Sequence, residues 1–135
     1  PSPGIVWRLV AEAIDLTIRG SSRTLEVTAF DRLVSRTDDL TFEVDAGWVA
    51  AGGYDPVAVF EYLGDRMPLI HIADVRRVKR FPPAYRSVPP GEGILDLDRV
   101  LDAARRTDVD WLVYEDDDPE STEAAIEHGR SVLER

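Results

Sequence analysis

Three side chains that can bind a metal ion follow, one after another, the hydrophobic segments of the sequence. Asp45 ends the segment LTFEV, His71 lies within LIHIA, and Glu115 follows WLVY. A mixed set of carboxylate oxygens and an imidazole nitrogen suits Mn²⁺, Mg²⁺, Co²⁺ or Zn²⁺ better than thiophilic metals. Each residue taken alone is more often a helix cap or a hydrogen-bonding group. The hypothesis of a divalent-metal site therefore requires that all three meet.

The elements that must position these side chains alternate between strand and helix. Strands are predicted at 40–44, 69–73 and 111–114, and helices at 55–64, 96–106 and about 120–133. This order predicts a parallel sheet with right-handed crossovers. In such sheets the loops after the carboxyl ends of the strands form the functional site.

The two-residue period of a strand predicts which way each side chain points. If the large apolar residues of each strand pack against the helices, Asp45, His71 and Glu115 all point to the opposite face. Glu43 shares the face of Asp45. The sequence therefore predicts one cavity that receives an aspartate, a histidine and a glutamate.

Other parts of the chain have weaker patterns. Residues 5–16 fit a helix or a strand, 19–24 a turn, and 28–35 a short helix capped by Thr28. Residues 76–93 are basic and contain four prolines and two glycines, which predicts a long loop of the functional or mobile kind.

Composition limits the class of protein. With 135 residues, the chain is expected to form a single domain over 1–135. The net charge of −10 argues against a nucleic-acid surface, and no apolar run reaches the ~18 residues of a membrane span. The absence of cysteine excludes disulfides and thiolate ligands, which fits a cytoplasmic location. Fifteen arginines against one lysine, with sixteen aspartates, fit either a halophilic organism or a GC-rich genome.

An ordered set of motifs resembles a known family. The segment FEVDAGWVAAGGYDPVAVFEYLGDRMPLIHIADV, then GEG at 91–93 and WLVYEDD, resembles the C-terminal half of xylose isomerase-like TIM barrels. The sugar phosphate isomerase/epimerase group is the closest match. The similarity covers about 28–134, whereas residues 1–27 match poorly. The resemblance implies an α/β fold: the C-terminal portion of a (β/α)8 barrel, with three to five parallel strands and flanking helices.

The resemblance also implies a mechanism. Asp45, His71 and Glu115 match the last three of the family's four metal ligands, and Glu115 would also be the catalytic proton carrier. The reaction would be isomerisation or epimerisation of a ketose, a sugar phosphate or a hydroxy-keto acid through an enediolate. The implied cofactor is a divalent ion (Mn, Mg, Co or Zn).

Substrate contacts are implied in the same way. Trp48 matches an aromatic residue that lines the pocket, and Asp74 follows the ligand histidine. Ala73 stands where a lysine is frequent in the family. Arg76, Arg77 and Arg80 could meet a phosphate or carboxylate of the substrate, and a solvated basic loop is the equally open alternative.

The sequence departs from the family before Thr28. Residues 5–27 contain no histidine and no convincing fourth ligand, and a complete barrel needs roughly 250 residues. The chain would then be a fragment, an altered barrel or one of two copies that assemble. Open strand edges predict a homo-oligomer, and a partial barrel is expected to have little activity alone. The alternatives are a catalytically inactive partial barrel that serves as an interaction module and, less favoured by charge and histidine count, an endonuclease IV-like repair enzyme.

Overall fold

The computed structural model describes residues 7–9 and 29–135 of the chain. Its strands are β1 (Trp7–Leu9), β2 (Phe42–Asp45), β3 (Leu69–Ile72), β4 (Asp74–Lys79), β5 (Ala84–Val88) and β6 (Trp111–Tyr114). Its α-helices are α1 (Ala29–Arg36), α2 (Ala46–Ala51), α3 (Pro56–Leu63), α4 (Leu97–Arg106) and α5 (Thr122–Leu133), with a 3₁₀ turn at Gly64–Arg66.

Four strands form a parallel sheet in the order β1-β2-β3-β6. Asp45 of β2 pairs in register with His71 of β3, and His71 with Val113 of β6. The parallel sheet and its flanking helices confirm the predicted α/β fold, and the four strands of the described part do not close a barrel. The carboxyl ends of the strands meet along one edge of this sheet.

The core lies between the sheet and its helices. Phe42, Val44, Ile70 and Ile72 alternate along β2 and β3 and are almost completely buried, as the two-residue period predicts. From the helices, Phe60 and residues of α4 pack against the same face. The opposite face of these strands therefore remains for polar side chains.

Side-chain caps begin the helices where the sequence predicts them. Asp55 caps α3 and accepts a hydrogen bond from the Val57 amide, with Pro56 at the first helical position. Asp96 caps α4, and Ser121 caps α5. Each cap fixes the residue at which its helix begins, and so it also sets the length of the loop that precedes the helix.

The prediction of a long loop over residues 76–93 is wrong in part. Strands β4 and β5 pair there as an antiparallel hairpin, with a register shift between Arg77 and Lys79. At the tip of this hairpin the Phe81 side chain is 82% exposed. Prolines and clustered cations are typical of loops, and they hid the pairing although the prolines lie only at the tip and the end of the hairpin and most of the cations lie within its strands.

The structure tests the predictions for the first 36 residues at residues 7–9 and 29–36. Helix α1 confirms the predicted helix at 28–35, and β1 shows that residues 7–9 of the ambiguous 5–16 segment are a strand. The predicted turn at 19–24 and the cap at Thr28 lie outside the described residues. Across the described part, no helix combines the length and apolar character needed to cross a membrane.

Candidate metal centre

Asp45 is held in place by the helix that follows it. It is the last residue of β2 and the N-cap of α2, and its Oδ1 accepts a hydrogen bond from the Trp48 amide at 2.9 Å. Its side chain is only 3% exposed. A carboxylate at a strand end thus starts the next helix and also lies at the edge of the sheet where a ligand can bind.

His71 and Glu115 come from the two neighbouring strands. His71 lies beside Asp45 in the register of β2 and β3, and the Glu115 amide donates to the Ile72 carbonyl at 3.2 Å, just beyond the end of β6. The Glu115 carboxylate contacts Nδ1 of His71. One ligand atom from each of Asp45, His71 and Glu115 lies within 4.8 Å of the other two. The predicted convergence of the three side chains is therefore confirmed.

These donors fit a divalent cation. Two carboxylates supply hard oxygen ligands, and the imidazole supplies a borderline nitrogen. The His71 and Glu115 side chains are each 18% exposed, so the cluster is shielded from bulk water yet still open to a small ligand. Two negative charges close together in such a place are stabilised by a positive ion.

Glu43 is the residue of this cluster that the sequence analysis did not assign. Its Oε1 lies 3.3 Å from Nε2 of His71, on the ring nitrogen that does not contact Glu115. The signal was present in the sequence, because the alternation that points Asp45 toward the cavity points Glu43 the same way. It was passed over because Glu43 lies inside the strand rather than at its end.

Asp74 serves the loop above the sheet. Its carboxylate is fully buried and accepts hydrogen bonds of 2.8 to 3.1 Å from five backbone amides. The donors are Val75, Gly91, Gly93, Ile94 and Leu95. The substrate contact predicted for Asp74 stays a prediction, and these bonds assign both of its oxygens to the backbone.

Arg76 and Arg77 lie on the exposed hairpin. The Arg76 guanidinium donates to the Glu92 carbonyl at 2.7 and 3.3 Å and lies 3.6 Å from the Glu92 carboxylate. Arg77 donates to the carbonyls of Lys79 and Arg80. Both side chains are thus restrained by their own loop, and their role toward substrate stays a prediction.

A second polar cluster lies near the helix-facing side of β6. A hydrogen bond of 2.9 Å joins the Tyr114 hydroxyl and Nδ1 of His128, beside a cleft of about 420 Å³ between the hairpin and α5. Burial, followed by the charges of Asp116 and Glu92, raises the pKa of Tyr114 to about 12. His128 is half-buried. This cluster is separate from the three converging ligands.

Comparisons with known proteins agree with the fold. A family model described as a xylose isomerase-like TIM barrel matches residues 8–135. Among solved structures, a sugar phosphate isomerase/epimerase from Parabacteroides distasonis is similar, with a TM-score of 0.56 and 19% identity. The match covers 87% of this chain and 40% of that one, so this chain spans less than half of that structure's length. Such identity shows a shared fold alone, and no curated protein matches the sequence.

Proposed function

The chain belongs to the xylose isomerase-like TIM-barrel family, and we propose that it is a divalent-metal-dependent isomerase or epimerase. The substrate class is a ketose, a sugar phosphate or a hydroxy-keto acid. The observation that carries the proposal is the meeting of Asp45, His71 and Glu115 within 4.8 Å at the carboxyl ends of parallel strands. This is the edge where α/β proteins of this kind place their chemistry.

Asp45, His71 and Glu115 would hold the ion. Mn²⁺, Mg²⁺, Co²⁺ and Zn²⁺ all accept two carboxylates and an imidazole. A bound ion of this kind would act as a Lewis acid toward a carbonyl or hydroxyl oxygen of the substrate. The three ligands found among the described residues leave coordination positions open, which is typical of catalytic rather than structural metal sites.

Glu115 is the proposed proton carrier. Isomerisation next to a carbonyl requires a positioned base that takes a proton from one carbon and returns it as an acid. Glu115 follows directly after β6, and its carboxylate lies beside Nδ1 of His71, next to the proposed position of the ion. A carboxylate held at the mouth of the cavity has access to substrate, whereas one inside the sheet does not.

Trp48, Arg76 and Arg77 are the proposed substrate contacts. Trp48 lies in the first turn of α2, where its amide donates to the Asp45 carboxylate, and it is half-buried, so its indole would cover one side of the pocket and exclude water. The two guanidinium groups lie on the hairpin after β3 and can pair with a phosphate or carboxylate group. Asp74 is left out of this set because its oxygens bind the loop amides.

Proton exchange with solvent tests the proposal. The purified chain is incubated with Mn²⁺ in D₂O and a panel of ketoses, ketose phosphates and hydroxypyruvate. The ion is then removed with a chelator, and the products are analysed by NMR. Although the chain alone is expected to convert little substrate, we expect slow incorporation of deuterium at the carbon next to the carbonyl of at least one substrate. Exchange requires one base, whereas inversion needs a second acid on the opposite side, so exchange is expected to exceed net conversion.

Two variants make the assay specific. Glu115→Gln removes the base and should abolish the exchange, while Glu123→Gln changes an exposed glutamate of α5 and should leave it intact. Exchange that survives both Glu115→Gln and prior chelation would contradict the assignment. No exchange by a chain that binds Mn²⁺ would instead favour the alternative, a catalytically inactive barrel portion that serves as an interaction module.

A further inference from the structure

We propose that Glu43 is a positioning residue that orients the His71 imidazole for the metal site. The carboxylate would accept a hydrogen bond from Nε2 of His71 and leave Nδ1 to face the ion. The observation is the 3.3 Å separation between Glu43 Oε1 and His71 Nε2 on one side of the ring, with Glu115 at Nδ1 on the other. The inference rests on the proposed metal-dependent function, and it adds a residue that the ligand set does not include.

The strand geometry explains why the two glutamates reach opposite sides of the ring. Glu43 and Asp45 share one face of β2, and two residues of strand rise separate them by about 6.6 Å along the strand. Glu115 lies beyond the end of β6, further toward the carboxyl edge than His71. The imidazole thus spans the distance between a carboxylate deeper in the sheet and one at the open edge.

A role for Glu43 as a fourth ligand fits the geometry less well. Among the described residues, the acidic and histidine groups that could share an ion are Asp45, His71 and Glu115, and Glu43 is not one of them. Its closest approach is to the ring nitrogen that does not contact Glu115. Glu43 therefore acts on the ion through His71.

The chemistry of imidazole gives this contact a consequence. A neutral imidazole carries one N–H donor and one nitrogen lone pair, and the partner of one nitrogen determines which tautomer forms. A carboxylate at Nε2 favours the proton there and so leaves the Nδ1 lone pair for the ion. Carboxylate–histidine–metal arrangements of this kind orient the ring, and their loss typically lowers metal affinity by about 10- to 100-fold.

Burial makes the contact stronger than a surface pair. The Glu43 and His71 side chains are 15% and 18% exposed, so water competes weakly for the contact between them. Hydrogen bonds to a charged acceptor are also stronger than those between neutral groups. Glu43→Gln keeps an acceptor oxygen and the shape of the side chain but removes its charge. We expect its Zn²⁺ affinity to lie between those of the wild type and Glu43→Ala.

The chain suits a direct spectroscopic test because it contains only two histidines, His71 and His128. In ¹⁵N-histidine-labelled protein that carries His128→Asn, every imidazole signal belongs to His71. Zn²⁺ serves as a diamagnetic probe, and long-range ¹H–¹⁵N NMR identifies which nitrogen is protonated and which is metal-bound. Calorimetric titration with Zn²⁺ gives the affinity of the wild type, Glu43→Ala, Glu43→Gln and Glu61→Ala, the last an exposed glutamate on α3.

We expect the ion on Nδ1 and the proton on Nε2 in the wild type and in Glu61→Ala. Glu43→Ala should weaken Zn²⁺ binding by about 10- to 100-fold and lose the single protonated Nε2 signal. Unchanged affinity and an unchanged tautomer in Glu43→Ala, or the ion on Nε2 in the wild type, would overturn this inference alone. A wild-type chain that binds neither Zn²⁺ nor Mn²⁺ would overturn the proposed function with it. If Glu43→Ala does not fold, Glu43→Gln decides by the same signals.

Discussion

Gly47 of α2 lies against the backbone of Ala73, just beyond β3, with no room for a side chain. A Cβ added to Gly47 would stand 2.9 Å from the Ala73 carbonyl oxygen and 3.1 Å from Cα of Asp74. Because both neighbours are backbone atoms, a larger residue must move the helix itself. The first turn of α2 carries Asp45 as its cap, so this contact sets the position of a proposed metal ligand.

We therefore expect Gly47→Ala to lower the free energy of unfolding by about 1–3 kcal/mol, as overpacking typically does. Mn²⁺ binding should weaken as well. Gly52→Ala is the matched control, because a Cβ there would meet its nearest neighbour at 3.4 Å, an ordinary contact. Urea unfolding followed by tryptophan fluorescence measures both variants. Equal stability of the two variants would show that the close approach does not constrain α2.

Asp74 should be among the most sensitive positions for stability. Asp74→Ala leaves the amides of Gly91, Gly93 and Leu95 without their acceptor in a buried site, whereas the Ile94 amide keeps the Val75 carbonyl as a second acceptor. Each unsatisfied buried donor costs about 1–3 kcal/mol. We expect a loss of at least about 3 kcal/mol and faster hydrogen exchange at the amides of residues 91–95. Asp102→Ala, an exposed aspartate of α4, should change neither. Retained protection of residues 91–95 in Asp74→Ala would contradict this account.

The ion pair of Asp55 and Arg99 links α3 to α4 and should make the stability of the protein depend on pH. Two hydrogen bonds of 2.9 and 2.7 Å join their side chains. The Arg99 hydrogen bond is the main cause that lowers the pKa of Asp55 below its ordinary value of 3.8. A lowered carboxylate pKa means that the stabilisation is present above the unfolded-state value and is lost as the pH falls through the folded-state value.

Thermal unfolding of the wild type and Asp55→Asn between pH 7 and pH 3 measures this effect. The wild type should be slightly more stable at pH 7, and the difference should shrink once the pH falls below about 3.8. The side chains are half-exposed, so the effect is small and should decrease with added salt. Arg99→Gln is the control, and its stability should show the same reduced dependence on pH as that of Asp55→Asn. A difference that does not change with pH would rule out the ion pair as its cause.

The site was predictable from the sequence because a strand has a fixed period. Alternation alone places Asp45, His71 and Glu115 on the face opposite the apolar residues, and the structure brings their ligand atoms together. That all three bind an ion stays a prediction. Helix starts such as the one at 55 were also predictable, because a helix cap depends only on local backbone geometry.

Interactions between residues distant in sequence were not predictable. The hydrogen bonds of Asp74 reach donors 17 to 21 positions later, and no local pattern specifies them. The β4–β5 hairpin depends on antiparallel pairing that its prolines and cations conceal. Helix α2 was missed because Asp45 was interpreted as the charged exit of a strand, although it is also an N-cap. Glu43 was missed because its partner, His71, belongs to another strand.

The most direct test of the central claim is a calorimetric titration with Mn²⁺ of the wild type and of Asp45→Ala, His71→Ala and Glu115→Gln. Three controls have the same chemistry outside the site: Asp102→Ala, His128→Ala and Glu123→Gln. We expect one Mn²⁺ per chain in the wild type and in the controls, and affinity reduced by more than about tenfold in each site variant, since even the loss of an outer partner costs that much. Equal binding by the site variants and the controls would show that Asp45, His71 and Glu115 do not form a metal centre.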